Sequence, residues 1–460
     1  MSRAGSGGDG DTRRGADTGR DADTAREAAQ RRILTVLVLG QLLAGAGLAA
    51  GITVGALLAE DLLGGPGLSG LPSALFTGGS AIAAVAVGRL SQSRGRRPGL
   101  ATGFTFGALG AAGIVLAAEL GSLPLLFAAF VVYGSGTATN LQARYAGADL
   151  ATPERRGRSL SYVLLGTTAG AVAGPNLVGP TGAVAEALGL APLTGPFLLA
   201  ALAYGGAALV ISLLLRPDPL LEARRLEAAG ADAAAASSSS TSLSSARSLS
   251  ARSSSAPSPA APRVWSADVL AGVAVMALTQ FVMVGLMTMT PVHMRGHDHA
   301  LTLVGLVISL HVAAMYLPAP VSGWLVDTLG TRAVAASAGI VLLAAGMLAA
   351  IAPPDSSVLV AVALILLGVG WSLGLVSGTT VLTTAVPTSV RATVQGQADV
   401  AVALAGAAGA LVSGLVFAWI DFRGLGVTLA ALSLIVVAAV RPRTRVRARA
   451  RGGSAAHRAD

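Results

Sequence analysis

The chain has 460 residues, 53% of them hydrophobic and only 12% charged, with a formal net charge of +9 and no cysteine. Soluble domains average about 25% charged residues, so a water-soluble globule is excluded. Without cysteine there is also no disulfide framework, thiol chemistry or Cys-based metal site. The apolar runs reach the roughly 20 residues that a helix needs to cross a bilayer. They are continuous and lack the two-residue alternation of barrel strands, so the pattern predicts an all-α membrane protein. Its basic balance is entirely Arg, since no Lys occurs. The Arg residues cluster in alternate loops and both tails, which is the positive-inside pattern of a membrane protein and not a nucleic-acid footprint.

Residues 1–32 are rich in Gly, Asp, Arg and Thr and read as a disordered cytoplasmic tail. They contain no apolar segment of the kind a cleaved signal peptide carries. Six spans follow in 33–216: about 33–59, 71–90, 98–118, 123–150, a fifth ending near Gly182, and 196–215. The turns after the second and fourth spans, GRLSQSRGRR and PERRGR, are basic. Residues 217–265 are dominated by Ala, Ser and Arg and read as a flexible cytoplasmic linker, with one short helix around Leu220 to Ala229. A second set of six spans occupies 266–441: roughly 267–290, 302–326, 333–352, 357–382, 392–418 and 424–440. Residues 442–460 form an Arg-rich cytoplasmic tail. An even number of spans puts both termini on the cytoplasmic side. The abundance of Arg, Ala and Gly without Lys suggests a bacterial genome, hence the inner membrane.

The two halves repeat. Adding 235 to a position carries Gly88 to Gly323, Leu90 to Leu325, Gly95 to Gly330, Arg97 to Arg332, Arg156 to Arg391 and Gly174 to Gly409. One offset aligning identical residues at three separate places marks a six-helix unit written twice.

Twelve spans as six plus six, a central linker and a basic turn after the second span resemble the major facilitator superfamily over about residues 33–440. The family's signature there is a Gly, an Asp four residues on, a Gly three further, then two basic residues. Gly88, Gly95, Arg96 and Arg97 match, while Gln92 stands at the Asp position. The second copy keeps the acid as Asp327, between Gly323 and Gly330, with Arg332 but Thr331 in place of the first basic residue. The resemblance implies that this acid latches an outward-facing state against a neighbouring helix end. The uncharged Gln92 is then expected to make a weaker latch. Gly170, Gly174 and Pro175 in the fifth span are similar to a signature of proton-coupled drug exporters. Physically, the two glycines form a close-packing face and Pro175 bends the helix. The stretch from Met289 to His311 resembles bacterial members of unknown substrate.

Polar groups within a span are costly and mark candidate sites. Tyr133, Thr137, Asn140 and Arg144 share one face of the fourth span. That face lines either a cavity or a helix contact. Arg144 either binds an anionic substrate or counter-ion there, or snorkels to the inner surface. Gln280, Met283 and Met287 share a face of the seventh span with Met276, as cavity lining or as plain packing. His311 and Asp399 are the candidates for proton coupling, with a packing role as the alternative for His311 and a wetted position near the cytoplasmic end as the alternative for Asp399. His293, His297 and His299, with Met294 and Asp298, read as an outer loop that is either solvated or a weak metal site, and their spacing matches no closed zinc site. No cofactor or metal is expected.

The expectation is a secondary active transporter, since no nucleotide-binding GxxxxGK[ST] motif occurs. Two bundles would rock about a midplane site. Proton-coupled efflux of small amphipathic molecules leads. The alternatives are a metabolite uptake carrier and a non-transporting membrane sensor of the same fold, the latter suggested by Gln92. Expected partners are a small-molecule substrate, protons and the lipid bilayer, with no nucleic acid, and the chain as a monomer. No enzymatic activity is expected.

Overall fold

The computed structural model describes residues 8–53, 58, 71–173, 177–245 and 264–439. Among these there is no β-strand. The first half contains α1 (Gly8–Thr53), α2 (Leu71–Arg94), α3 (Arg96–Glu119), α4 (Leu123–Ala148), α5 (Arg156–Ala173), α6 (Val178–Ala187) and α7 (Gly195–Leu214). Helix α8 (Pro219–Ser245) follows in the linker. The second half contains α9 (Ala267–Gly296), α10 (Leu301–Tyr316), α11 (Ala319–Leu329), α12 (Thr331–Ile351), α13 (Ser357–Ala385) and α14 (Arg391–Ala439). With α5–α6 and α10–α11 each forming one broken span, and α14 forming two, this is a twelve-span protein built as two six-helix bundles.

In the first bundle α1 packs on α5 and α7, and α4 packs on α2 and α3. In the second, α9 packs on α14 and α13, and α12 packs on α13 and α14. The first core is aromatic at its centre, with Phe104, Phe130, Tyr133, Phe197 and Tyr204 all essentially buried. The second core extends across the bundle boundary and takes in Ala148, Leu160 and Leu164 from the first half. The bundles meet along two seams, α2 with α14 and α5 with α11.

Several boundaries depart from the sequence expectation. Helix α1 begins at Gly8, not Ile33, so the tail is helical where a disordered segment was expected. Its last polar turns have partners: Arg26 Nε donates to the Leu150 carbonyl at 3.1 Å, and Gln30 Nε2 to the Gly147 carbonyl at 2.7 Å. The linker helix runs to Ser245, well past Ala229. Its Ala-rich sequence carries the high helix propensity that the linker reading underweighted. The eighth span breaks at Leu317–Pro318, where Pro318 and Pro320 follow one another closely and remove two backbone donors. The seventh span continues through Pro291 to Gly296, so His293 belongs to a helix and not to the outer loop. It is 7% exposed, and its ring stacks on Phe422 at 4.1 Å. The eleventh and twelfth spans are divided at Ile420 and Asp421, where the backbone leaves helical geometry. Residues 174–176 lie outside the described residues, and Gly174 and Pro175 with them. The same holds for most of 54–70, for 246–263 and for the tail from 440.

Candidate functional site

Both bundles bring their basic turns to one end of the molecule, the Arg-rich end, and that end is closed. The turns themselves are set by glycine. Gly95 (φ 101°) and Gly330 (φ 85°) occupy backbone conformations that a side chain resists, and each precedes the next helix directly. The paired glycines upstream permit close approach of the two bundles. A Cβ at Gly88 would come within 2.8 Å of the Ala392 carbonyl and 3.1 Å of Gly396 Cα. A Cβ at Gly323 would meet Gly157 and Ser161 in the same way.

Between these glycine contacts and the turns lie the two capping side chains. Asp327 accepts from the backbone N–H of Gly157 at 2.8 Å and of Arg158 at 3.0 Å, and from Arg158 Nε at 3.2 Å. The two backbone N–H groups are unsatisfied donors of the α5 N-terminus, where a carboxylate is favoured. Gln92 does the corresponding work for α14. Its Oε1 accepts from the Ala392 N–H at 2.8 Å, while its Nε2 donates to the carbonyls of Thr388 (3.0 Å) and Ser389. The expectation of a weak latch at Gln92 is therefore not met in bond count: an amide answers carbonyls as well as an N–H, which a carboxylate cannot do. Arg97 offers its backbone N–H to Asp218 at 2.7 Å. Arg332 pairs with Asp268 at 3.0 Å within its own bundle, exposed to solvent.

Behind the Gln92 contact lies a buried charge network. Arg96 is fully buried, with Nε 2.8 Å from Asp149 Oδ2 and Nη2 on Gln395 Oε1. Arg391 reaches Asp149 at 3.8 Å and, on its other side, Glu227 of the linker helix at 3.8 Å. Deeper in, Arg144 of the first bundle pairs with Asp399 of the second. Its Nη2 lies 2.8 Å from Asp399 Oδ1, and both side chains are essentially buried. Arg144 also bonds Thr379 Oγ1 at 3.1 Å and the Leu141 carbonyl. Tyr145 donates to the same Asp399 oxygen at 3.1 Å, accepts from Arg144 Nη2 at 3.0 Å, and lies with its ring 4.4 Å from the Arg144 guanidinium. The other oxygen, Asp399 Oδ2, is buried and has no hydrogen-bond partner among the described residues. The buried members of the network are Arg96, Arg144 and Arg391 with Asp149 and Asp399, and the more exposed Glu227 lies at its edge. It is split between the bundles.

The sequence candidates divide accordingly. Arg144 and Asp399 meet. The rest of the fourth-span face does not join them: Tyr133 turns into the first core, its hydroxyl on the Gly47 carbonyl and its ring 5.8 Å from Tyr204. Asn140 is buried, its backbone carbonyl accepts from Gln41 Nε2 at 2.9 Å, and its side-chain Nδ2 has no hydrogen-bond partner among the described residues. Thr137 is half-buried. Gln280 accepts from Trp371 Nε1 at 2.7 Å, and Met283 and Met287 pack into the second core. His311 is fully buried away from that network, its Nδ1 donating to the Leu364 carbonyl at 2.7 Å. Gly170 lies against the Gly45–Ala46 backbone of α1. Sequence reading missed Tyr145, Asp149, Gln395, Thr379 and the Trp371–Gln280 pair. The available signal was spacing: Arg144 and Asp149 end one helix, and Arg391, Gln395 and Asp399 lie on one face of another.

The sequence profile of the Major Facilitator Superfamily matches residues 37–410 and 300–459. The chain is 47% identical over 410 residues to the uncharacterized MFS-type transporter YdeG of Bacillus subtilis, covering 89% of this chain and 91% of that protein. It is 28% identical over 379 residues to the riboflavin transporter RfnT of Brucella anthropi, covering 81% of this chain and 85% of that one. Among solved structures, the human organic anion transporter MFSD10 superimposes with a TM-score of 0.66 at 18% identity, over 90% of this chain and 99% of that chain.

Proposed function

From the premise that the chain belongs to the major facilitator superfamily and is a membrane transporter, we propose that it is a proton-coupled secondary carrier that exports small amphipathic molecules, with Arg144 and Asp399 as its coupling pair. The observation that carries this is the buried ion pair between the bundles, with Asp399 Oδ2 left unpartnered. The positive-inside pattern supports reading the Arg-rich end as cytoplasmic, and the described arrangement is then outward-facing. A proton that settles on Asp399 cancels one member of the pair. Arg144 is left buried without a counter-charge, which is costly, and opening toward the cytoplasm relieves that cost by admitting water or an anionic group of the substrate. Loss of the proton on the cytoplasmic side re-forms the pair and closes that end. A transporter can only be driven by a ligand that distinguishes its two states, and here the proton does so.

Two further features bear on this reading. The face formed by Gln280, Met283 and Met287 offers adaptable apolar surface with one polar group, which suits amphipathic cargo. The equal bond count at Gln92 and Asp327 supports a working latch over the non-transporting sensor. A second reading, uptake of a metabolite with a flat heterocycle, draws support from the similarity to the riboflavin transporter.

The test is flux in reconstituted vesicles under an imposed pH gradient, with amphipathic dyes and riboflavin as cargo. Wild-type flux should follow the gradient. Asp399→Asn should still bind cargo but lose that dependence, whereas His311→Ala should keep it. An Asp399→Asn variant whose flux tracks the gradient as the wild type does would refute the coupling role.

A further inference from the structure

A cavity of about 460 Å³ lies at the Arg-rich end, between α1 and the turn that joins α4 to α5. None of Arg96, Arg144, Asp149, Arg391 and Asp399 lines it, and of its lining residues only Arg158, through Asp327, takes part in the seams described above. Its walls carry four arginines, Arg26, Arg31, Arg155 and Arg158, against a single carboxylate, Glu27. That carboxylate is itself divided between Arg31 at 3.4 Å and Arg155 at 3.7 Å, contacts that are long and solvent-exposed. Arg26 spends its Nε on the neutral carbonyl of Leu150, and Arg158 its Nε on Asp327. Among the described residues that line it, the cavity therefore keeps an excess of positive charge.

We propose that this cavity binds the phosphate of an anionic phospholipid headgroup. Charge alone would suit any phosphate, because guanidinium groups match its oxygens with paired donors. What selects a lipid is the surroundings. The cavity sits where the apolar run of α1 begins, at Ile33, and Leu34 and Tyr162 form part of its wall. Tyr162 is 46% exposed, as suits an aromatic ring at the headgroup level of a bilayer. Further along α1, on the exposed side that carries Arg31, lie Leu39, Leu42 and Leu43, each more than a third exposed. These positions follow i, i+3 and i+4 spacing and so share one face. A cationic cavity on the membrane-inner side of an exposed apolar stripe suits a lipid, with headgroup in the cavity and acyl chain along the helix. Basic pockets beside membrane helices on the inner side are physically suited to anionic headgroups. A free phosphate ion would make no use of the stripe.

Native mass spectrometry of the full chain, released from phosphatidylcholine membranes with and without phosphatidylglycerol, tests this without any transport measurement. The wild type should retain phosphatidylglycerol in preference to phosphatidylcholine. Arg31→Gln with Arg155→Gln removes two exposed charges that no buried contact depends on, so folding is not at stake. Retention should drop by roughly thirtyfold, at about fivefold per arginine near an anionic surface. A control pair at the same end but outside the cavity, Arg94→Gln with Arg225→Gln, should retain the lipid as the wild type does. Three results would overturn the proposal: unchanged retention in the cavity variant, an equal loss in the control, or displacement of the lipid by inorganic phosphate alone.

Discussion

At the Arg-rich end α2 closes on α14, and α11 closes on α5, along two seams related by the 235-residue offset of the sequence repeat. The correspondence is close at the backbone. Gln92 caps Ala392 while Asp327 caps Gly157, and these four positions map onto one another under the offset. Gly88 and Gly323 provide the matching close approaches. The side chains behind the caps differ. The seam of α2 and α14 holds Arg96, Asp149, Gln395, Arg144 and Asp399, whereas the repeat-related positions beside the other seam are Thr331, Thr384, Leu160, Thr379 and Leu164. Arg144 even bonds its own repeat mate, Thr379, at the pseudo-symmetry axis. Closure needs glycine contact and a capped helix, and both seams have these. Buried ion pairs add little net stability over apolar packing. Among the described residues the fully buried pairs lie on one seam, against the half-exposed Arg158–Asp327 pair on the other, and this is the asymmetry that the proposed coupling role requires.

That distinction is broken most severely at the ion pair. Arg144→Ala leaves Asp399 buried and unpaired, and thermal unfolding in detergent should show a loss of about 3–5 kcal/mol. Thr379→Ala, at the mate of the same position, should cost about 0.5–1.5 kcal/mol, the worth of an ordinary hydrogen bond. Replacing both charges, with Arg144→Leu and Asp399→Leu together, should recover most of the stability while leaving flux independent of pH. If the paired replacement stays as unstable as Arg144→Ala, the charges are structural and the contrast between the seams fails.

The glycine contacts should behave alike on both seams. Gly88→Leu and Gly323→Leu each force a side chain against the opposing backbone, a strain of about 1–3 kcal/mol. Both should hold the Arg-rich end open, so that single cysteines introduced beneath it become reactive to impermeant thiol reagents from that side. Opening by one variant and not the other would mean that the seams are unequal at the backbone too.

The fold was legible because its signals are local and repeated: long apolar runs, alternate basic turns and a constant offset. The site was legible in part. Arg144 and Asp399 stand out as charges within apolar runs, but their pairing spans 255 positions and depends on how two bundles dock, which no local period encodes. Tyr133 has the same helical phase as Arg144, and only tertiary packing turns it into an aromatic core. The broken eighth span and the extended α1 and α8 show the same limit. Local punctuation was visible, yet whether a helix continues past it depends on the partners it finds.

The capping side chains sharpen the comparison at a smaller scale. Gln92→Asp would place a charge favourable to the α14 N-terminus but lose two donated bonds and set a carboxylate facing two carbonyls. The net effect should be a latch weaker by about 1 kcal/mol. Asp327→Asn removes the charge from the α5 N-terminus, where the observed partners are all donors, and should weaken that latch by about 0.5–2 kcal/mol. Reactivity of the same cysteines should rise modestly in each variant. A Gln92→Asp variant that lowers reactivity would show that charge, not bond count, sets the strength of the latch.

The smallest effect belongs to the linker helix, which touches one seam alone. Arg224 donates to the Gln92 carbonyl at 2.8 Å and weakly to the Thr388 carbonyl at 3.4 Å, and Glu227 accepts from Thr388 Oγ1. The α8 helix thus bridges the end of α2 and the turn before α14, and no corresponding element exists beside α5 and α11 among the described residues. Glu227 is 56% exposed in its side chain, so its pairing with Arg391 is screened and worth little. The Arg224 bonds are partly buried and worth about 0.5–1.5 kcal/mol together. Arg224→Ala should therefore raise cysteine reactivity at the α2–α14 seam by about two- to twelvefold, and leave the α5–α11 seam unchanged. Equal changes at the two seams would show that α8 acts on the whole closed end and not on the charged seam that it spans.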